Sequence, residues 1–142
     1  MRVVLDTNIL ISALIVPGGV PDRVYQAWRS GQFTLVSSDE QLEEFRRVTH
    51  YPRVRRYLAP APAGAMMNEL KQLAMLTKSR PVIDAASDPA DNFLLAMAVQ
   101  GDADYLVTGD RHSLLSLGRY GLTQIVSARH FAEVVLGKRS GG

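Results

Sequence analysis

Apolar residues fall into two kinds of stretch along this chain: short β-branched runs, and longer segments in which they recur every three or four positions. RVVL at 2–5 has the length and composition of a buried strand. The following NILISALIV spaces Ile9, Ala13 and Val16 on one helical face and Leu10 and Leu14 on another, until VPGG stops it. PDRVYQAWRSG carries Val24, Ala27 and Trp28 at helical spacing and ends at Gly31. FTLVSS at 33–38 is a second strand, and SDEQLEEFRRVTH is a helix opened by Ser38 or Asp39, with acidic residues in its first turns.

YPRVRRYL reads as a short helix with Pro52 at its start. PAPAGAMMNELKQLAMLTKS predicts a longer one, with Met66, Leu70, Leu73 and Leu76 or Thr77 on one stripe, and RPVID at 80–84 a third strand. SDPADNFLLAMAVQGDA opens with a strong helix signal: Asp88 as N-cap, Pro89 at the first position and Asp91 near the third. Its later residues are apolar nearly all round, which predicts burial. YLVTGD is a fourth strand, RHSLLSLG a short helix, TQIVSA a fifth strand and ARHFAEVVLG a terminal helix. This alternation predicts a three-layer α/β/α sandwich around a mostly parallel sheet of about five strands. It forms one domain over residues 1–136, with GKRSGG at 137–142 a flexible basic tail.

A parallel sheet brings the carboxyl end of every strand to one rim, where ligands gather. Asp6 ends the first strand, Asp110 ends the fourth, and Asp88 and Asp91 open the helix after the third. Each has a purely structural alternative. Asp88 is explained as a cap, Asp91 as a capping-box or macrodipole residue, Asp6 as a strand-to-helix cap and Asp110 as a turn residue. A glutamate of the 38–50 helix can join them. At about 100° per residue, Glu44 lies nearest the buried face defined by Leu42, Phe45, Val48 and Thr49, ahead of Glu40 and Glu43 by only about 40°.

Composition narrows the chemistry. The 142 residues are 46% hydrophobic and 21% charged, which suits one ordinary globular core. No cysteine is present, so disulfides, thiolate catalysis and zinc-thiolate sites are excluded, and any metal must sit on oxygen or on three scattered histidines. Asp6 and Asn8 interrupt the apolar N-terminal stretch and no run reaches the ~20 apolar residues of a membrane span, so the reading is a cytoplasmic protein. Clustered carboxylates repel one another and need protons or cations, and oxygen-only ligands suit Mg²⁺ or Mn²⁺. One or two such ions support in-line attack of water on a phosphodiester. The net charge is only +2, yet Arg46, Arg47, Arg53, Arg55 and Arg56 crowd into RRVTHYPRVRR with Tyr51 and Tyr57 interleaved. That is the composition of a phosphate-contacting surface with stacking rings, or of a solvated helix face.

These stretches together, VVLDTNILISAL, SSDEQLEEFRRV, SDPADNFLLAMAVQGDADYLVTGD and QIVSARHF, resemble the PIN domain (PilT N-terminus) nucleases, and among them the toxin-like bacterial members. The resemblance implies a PIN-like fold and assigns the metal-binding, catalytic carboxylates to Asp6, Glu44, Asp91 and Asp110. It places supporting polar residues at Asn8 and Thr108, with Asp88 an outer participant or only the cap. It further implies a Mg²⁺- or Mn²⁺-dependent endoribonuclease on single-stranded or loop RNA, leaving a 5′-phosphate and a 3′-hydroxyl. Homodimers, and a small antitoxin covering the acidic groove, are implied partners. Arg46, Arg47 and Arg53 are the candidate RNA-backbone contacts. Residues 51–80 align to no motif, and RNA choice is expected to lie there. The alternatives are a catalytically silent PIN-like module that binds RNA or protein, or a house-keeping RNA-processing nuclease. A receiver or phosphatase-like domain is disfavoured: no DxDxT follows the first strand and TQIVSA lacks a receiver's lysine.

Overall fold

The structure, a computed structural model, describes residues 1–78, 81–109 and 112–137. In chain order its elements are β1 (Arg2–Leu5), α1 (Thr7–Ile15), α2 (Val20–Arg29), β2 (Thr34–Ser38), α3 (Asp39–Thr49), α4 (Pro52–Arg55) and α5 (Pro60–Leu73). They continue as β3 (Met75–Thr77), a 3₁₀ turn (Pro89–Asp91), α6 (Asn92–Gln100), β4 (Tyr105–Thr108), α7 (His112–Leu115), β5 (Arg119–Tyr120) and β6 (Thr123–Ser127). The last element is α8 (Ala128–His130), which runs on through a π-helical turn, Phe131–Val135.

The six strands lie in the order β3-β2-β1-β4-β6-β5, parallel except for the β5–β6 pair. Alternation along each strand decides what covers each face. Val3, Leu5, Leu35 and Val107 point to the side covered by α1, α2, α3, α5 and the terminal helix. Val4, Val36, Leu106 and Ile125 point to the other, where α6 lays down Phe93, Leu94, Leu95 and Met97. This is the three-layer α/β/α arrangement, and α6 can be apolar nearly all round because it is buried nearly all round. From β1 the chain winds outward to β2 and β3, then returns to place β4 on the other side of β1. The sheet's switch point therefore falls between β1 and β4, and a crevice opens at their carboxyl ends.

Three local expectations differ from the observed elements. The third strand is Met75–Thr77, paired parallel to β2 through Val36↔Met75 and Ser38↔Thr77; of the expected 80–84, residue 80 lies outside the described residues and 81–84 form no strand. α5 stops at Leu73 because Ala74 turns extended (φ −77°, ψ 150°), so Leu76 and Thr77 belong to the sheet edge and Leu73 is left 64% exposed. Residues 81–84 are irregular coil. Pro81 brings no backbone donor to a ladder, and Asn92 Oδ1 captures the amides of Ala85 (3.2 Å) and Ala86 (2.9 Å) just beyond. The sixth strand, β5, is a two-residue antiparallel edge closed onto β6 by Gly121-Leu122, with Gly121 at φ 59°. Of the expected tail, Gly137 ends the terminal helix and residues 138–142 lie outside the described residues. No described helix is long and apolar enough to cross a membrane.

Gly101 closes α6 directly over β2. A Cβ there would stand 2.5 Å from Val36 Cγ1 and 3.1 Å from the Met97 carbonyl, and Val36 is fully buried. Gly101→Ala is therefore expected to cost about 1–3 kcal/mol, as overpacking does, and to lower the urea midpoint accordingly.

Candidate active site

Asp6 is the first residue past β1 and is only 1% exposed. Its amide extends the ladder to the Val107 carbonyl (2.8 Å), which directs the side chain to the rim between β1 and β4. Both carboxylate oxygens are engaged: Oδ1 accepts the Asn8 amide (3.2 Å) and Oδ2 accepts the Thr108 hydroxyl (2.8 Å). Thr108, the last residue of β4, is fully buried. Thus Asp6 caps α1 and is also clamped from the neighbouring strand. Asn8 acts on it through its backbone N–H, while its residue is exposed.

Asp91 arrives by a different device. Asp88 caps the 3₁₀ turn, its Oδ1 accepting the Ala90 amide (3.0 Å), and its own amide donates to Ser113 Oγ (2.9 Å). The Asp91 amide donates to the Asp88 carbonyl (3.0 Å), and Asp91 is carried inward to 2% exposure while Asp88 stays exposed. The structure gives Asp88 the cap's contacts.

On α3, Glu44 is half-buried and turned towards the same rim, whereas Glu43 is exposed and bonded to Arg46 (Nε to Oε2, 3.2 Å). The Arg46 hydrogen bond holds the Glu43 carboxyl below its ordinary value. Arg46 therefore points along its own helix, away from the rim. Arg47 and Arg53 point to it, Arg53 with its guanidinium 5.9 Å from the centre of the Tyr51 ring. A cleft of about 240 Å³ is bordered by Asp6, Glu44 and Asp91 together with Arg47, Arg53 and Phe93. Glu40 instead borders a neighbouring hollow with Lys78, on the far side of Phe93. Asp110 lies outside the described residues.

Residues 2–112 match the PIN domain family. The chain belongs to it. PIN domains are generally nucleases, hydrolases of phosphodiester bonds. An uncharacterized protein of Methanocaldococcus jannaschii is similar to this PIN domain at 29% identity over 126 residues, covering 82% of this chain and 75% of that protein. No solved structure matches the chain significantly.

PIN-domain nucleases usually use divalent metals, and the donor set of this PIN domain suits one in kind. The cleft offers, among the described residues, carboxylates as its metal-binding side chains, the preference of Mg²⁺ and Mn²⁺. Among the described residues, no three His, Asp or Glu side chains converge closely enough to enclose an ion.

The residue that sequence reading passed over is Gln41. In Ser38-Asp39-Glu40-Gln41 it stands where a capping box puts a side chain reaching back to the cap. Ser38 Oγ does accept the Gln41 amide (3.1 Å), but the Gln41 side chain turns inward and is fully buried. The one sequence signal was a polar residue at the spacing of Leu42 and Phe45.

Proposed function

We propose that this PIN domain is a Mg²⁺- or Mn²⁺-dependent endoribonuclease that hydrolyses single-stranded or loop RNA, with Asp6, Glu44, Asp91 and Asp110 as the cation-holding carboxylates. The observation that supports it is the cleft at the sheet's switch point, which three of these carboxylates line together with Arg47 and Arg53. A divalent cation held by such oxygens activates the attacking water and offsets charge at the leaving oxygen.

The chain's own groups supply the rest. Asp6, locked by the Asn8 amide and the Thr108 hydroxyl, presents its carboxylate without losing rotamer freedom on binding. Asp91 is equally buried, while half-buried Glu44 keeps its carboxylate in reach of solvent. Arg47 and Arg53 offer planar donors to successive phosphates, and Tyr51 beneath Arg53 offers a stacking face. The finer reading, a cytoplasmic, homodimeric toxin silenced by a small antitoxin, is supported by the resemblance of its motif stretches to toxin-like members.

The test is incubation of the purified protein with end-labelled single-stranded RNA in Mg²⁺, Mn²⁺ or chelator, beside the same sequence as DNA. Cutting of RNA that needs a cation is expected; intact RNA under both cations, with RNA binding retained, would overturn the reading. In the binding arm, Arg47→Ala should flatten the slope of log affinity against log salt by about 0.7, one phosphate's share for a single strand. Arg46→Ala, whose guanidinium is committed to Glu43, should leave that slope nearly unchanged.

A further inference from the structure

We infer that Gln41 is a positioning residue that sets the spacing between Asp6 and Glu44; this rests on reading those two carboxylates as cation ligands. Gln41 is 0% exposed, it stands on α3 with Glu44, and its amide ties that helix to the residues flanking Asp6 at one end and to β2 at the other. Nε2 donates to the Leu5 carbonyl at 2.6 Å and lies 3.4 Å from Thr7 Oγ1, so it grips the residues on either side of Asp6. Oε1 accepts the Ser37 hydroxyl at 2.6 Å, which anchors the same amide to the end of β2. One turn further along α3 stands Glu44.

The consequence is geometric. Asp6 is oriented by the Asn8 amide and Thr108, both on the β1–α1 and β4 side, whereas Glu44 moves with α3. Apolar packing between α1 and α3 tolerates sliding, because dispersion contacts are non-directional. Directed hydrogen bonds at 2.6 Å on both ends of a buried amide do not. A core position filled by Leu or Met would pack as well, yet would leave the Leu5 carbonyl and the Ser37 hydroxyl to find other partners. Gln41 thus holds one wall of the cleft in register with the other.

The experiment is Mn²⁺ titration by calorimetry of the full chain, with circular dichroism confirming that each variant is folded at the titration temperature. Gln41→Met should weaken Mn²⁺ binding by roughly tenfold or more, the scale seen when a partner that orients metal ligands is removed. Thr123→Val serves as the destabilised control. It deletes an equally buried bond, Thr123 Oγ1 to the Ala103 carbonyl (2.7 Å), at the opposite end of the sheet, and should leave Mn²⁺ affinity unchanged. Equal Mn²⁺ affinity in Gln41→Met and the unaltered protein would overturn the inference. If Gln41→Met does not fold, Ser37→Ala decides: it frees only Oε1 and should still weaken Mn²⁺ binding severalfold, and unchanged affinity in it overturns the inference. An unaltered protein that binds Mn²⁺ no better than Asp6→Asn would overturn the cation-site reading itself, and the positioning role with it.

Discussion

Asp6→Asn is expected to abolish cation-dependent RNA cleavage, by at least roughly a hundredfold, while leaving the fold intact. The substitution keeps shape and keeps an acceptor for the Asn8 amide. The Thr108 hydroxyl can rotate from donating to accepting, so the local bonds survive the loss of charge. What is lost is a carboxylate held at 1% exposure at the rim, the group proposed to bind the cation. Two readouts therefore separate. In chelator, the variant should unfold at a temperature no lower than the unaltered protein. With Mn²⁺ at a hundred times its dissociation constant, the unaltered protein gains about 2.7 kcal/mol, a rise of about 5–10 °C for a chain of this size, and the variant gains almost none. Loss of folding in Asp6→Asn would instead make Asp6 the cap of α1 and nothing more.

The layered fold is legible because short β-branched runs alternate with longer segments of helical period. β1, β2 and β4 are runs buried on both faces, and α6 is apolar nearly all round because it is buried nearly all round. The rim location of Asp6 follows from strand direction alone. Where the reading failed, a short segment was decided by a tertiary contact. Met75–Thr77 has a helical neighbour and helical spacing, but three residues can complete the exposed edge of β2, and that pairing outweighs one further helical turn. The coil at 81–84 depends on Asn92, whose amide capture of Ala85 and Ala86 has no sequence signature. β5 is two residues long, below any period. In the site, helical angle alone separated Glu44 from Glu43 by a narrow margin, and the structure adds a reason: Glu43 has Arg46 within bonding distance on the solvent side. The same pair turns Arg46 away from the cleft, which composition alone could not reveal. Gln41 was invisible because a buried glutamine and a capping glutamine look alike until the side chain's direction is known.

The largest loss of stability is expected at Phe131→Ala, outside the residues matched to the PIN family. The match ends at 112, yet the terminal helix is not an appendage. Phe131 is fully buried, with its ring edge-on to Phe33 (centroids 5.4 Å apart, 87° between planes) and tilted against Tyr105 (5.6 Å, 65°). Those partners start the site's scaffold: Phe33 precedes β2, which leads to Ser37 and α3, and Tyr105 opens β4, which ends at Thr108. Truncating a buried Phe to Ala typically costs about 3–5 kcal/mol through lost transfer energy and the cavity left behind, and here two aromatic contacts go with it. Against a total of about 5–15 kcal/mol for a domain, this is a large fraction. Thermal unfolding should fall by roughly 10–20 °C at unchanged two-state behaviour. Because the carboxylates themselves are untouched, cleavage by the variant should follow the folded fraction and recover on cooling. A fall in stability below about 1 kcal/mol would mean that the terminal helix can leave without disturbing the sheet.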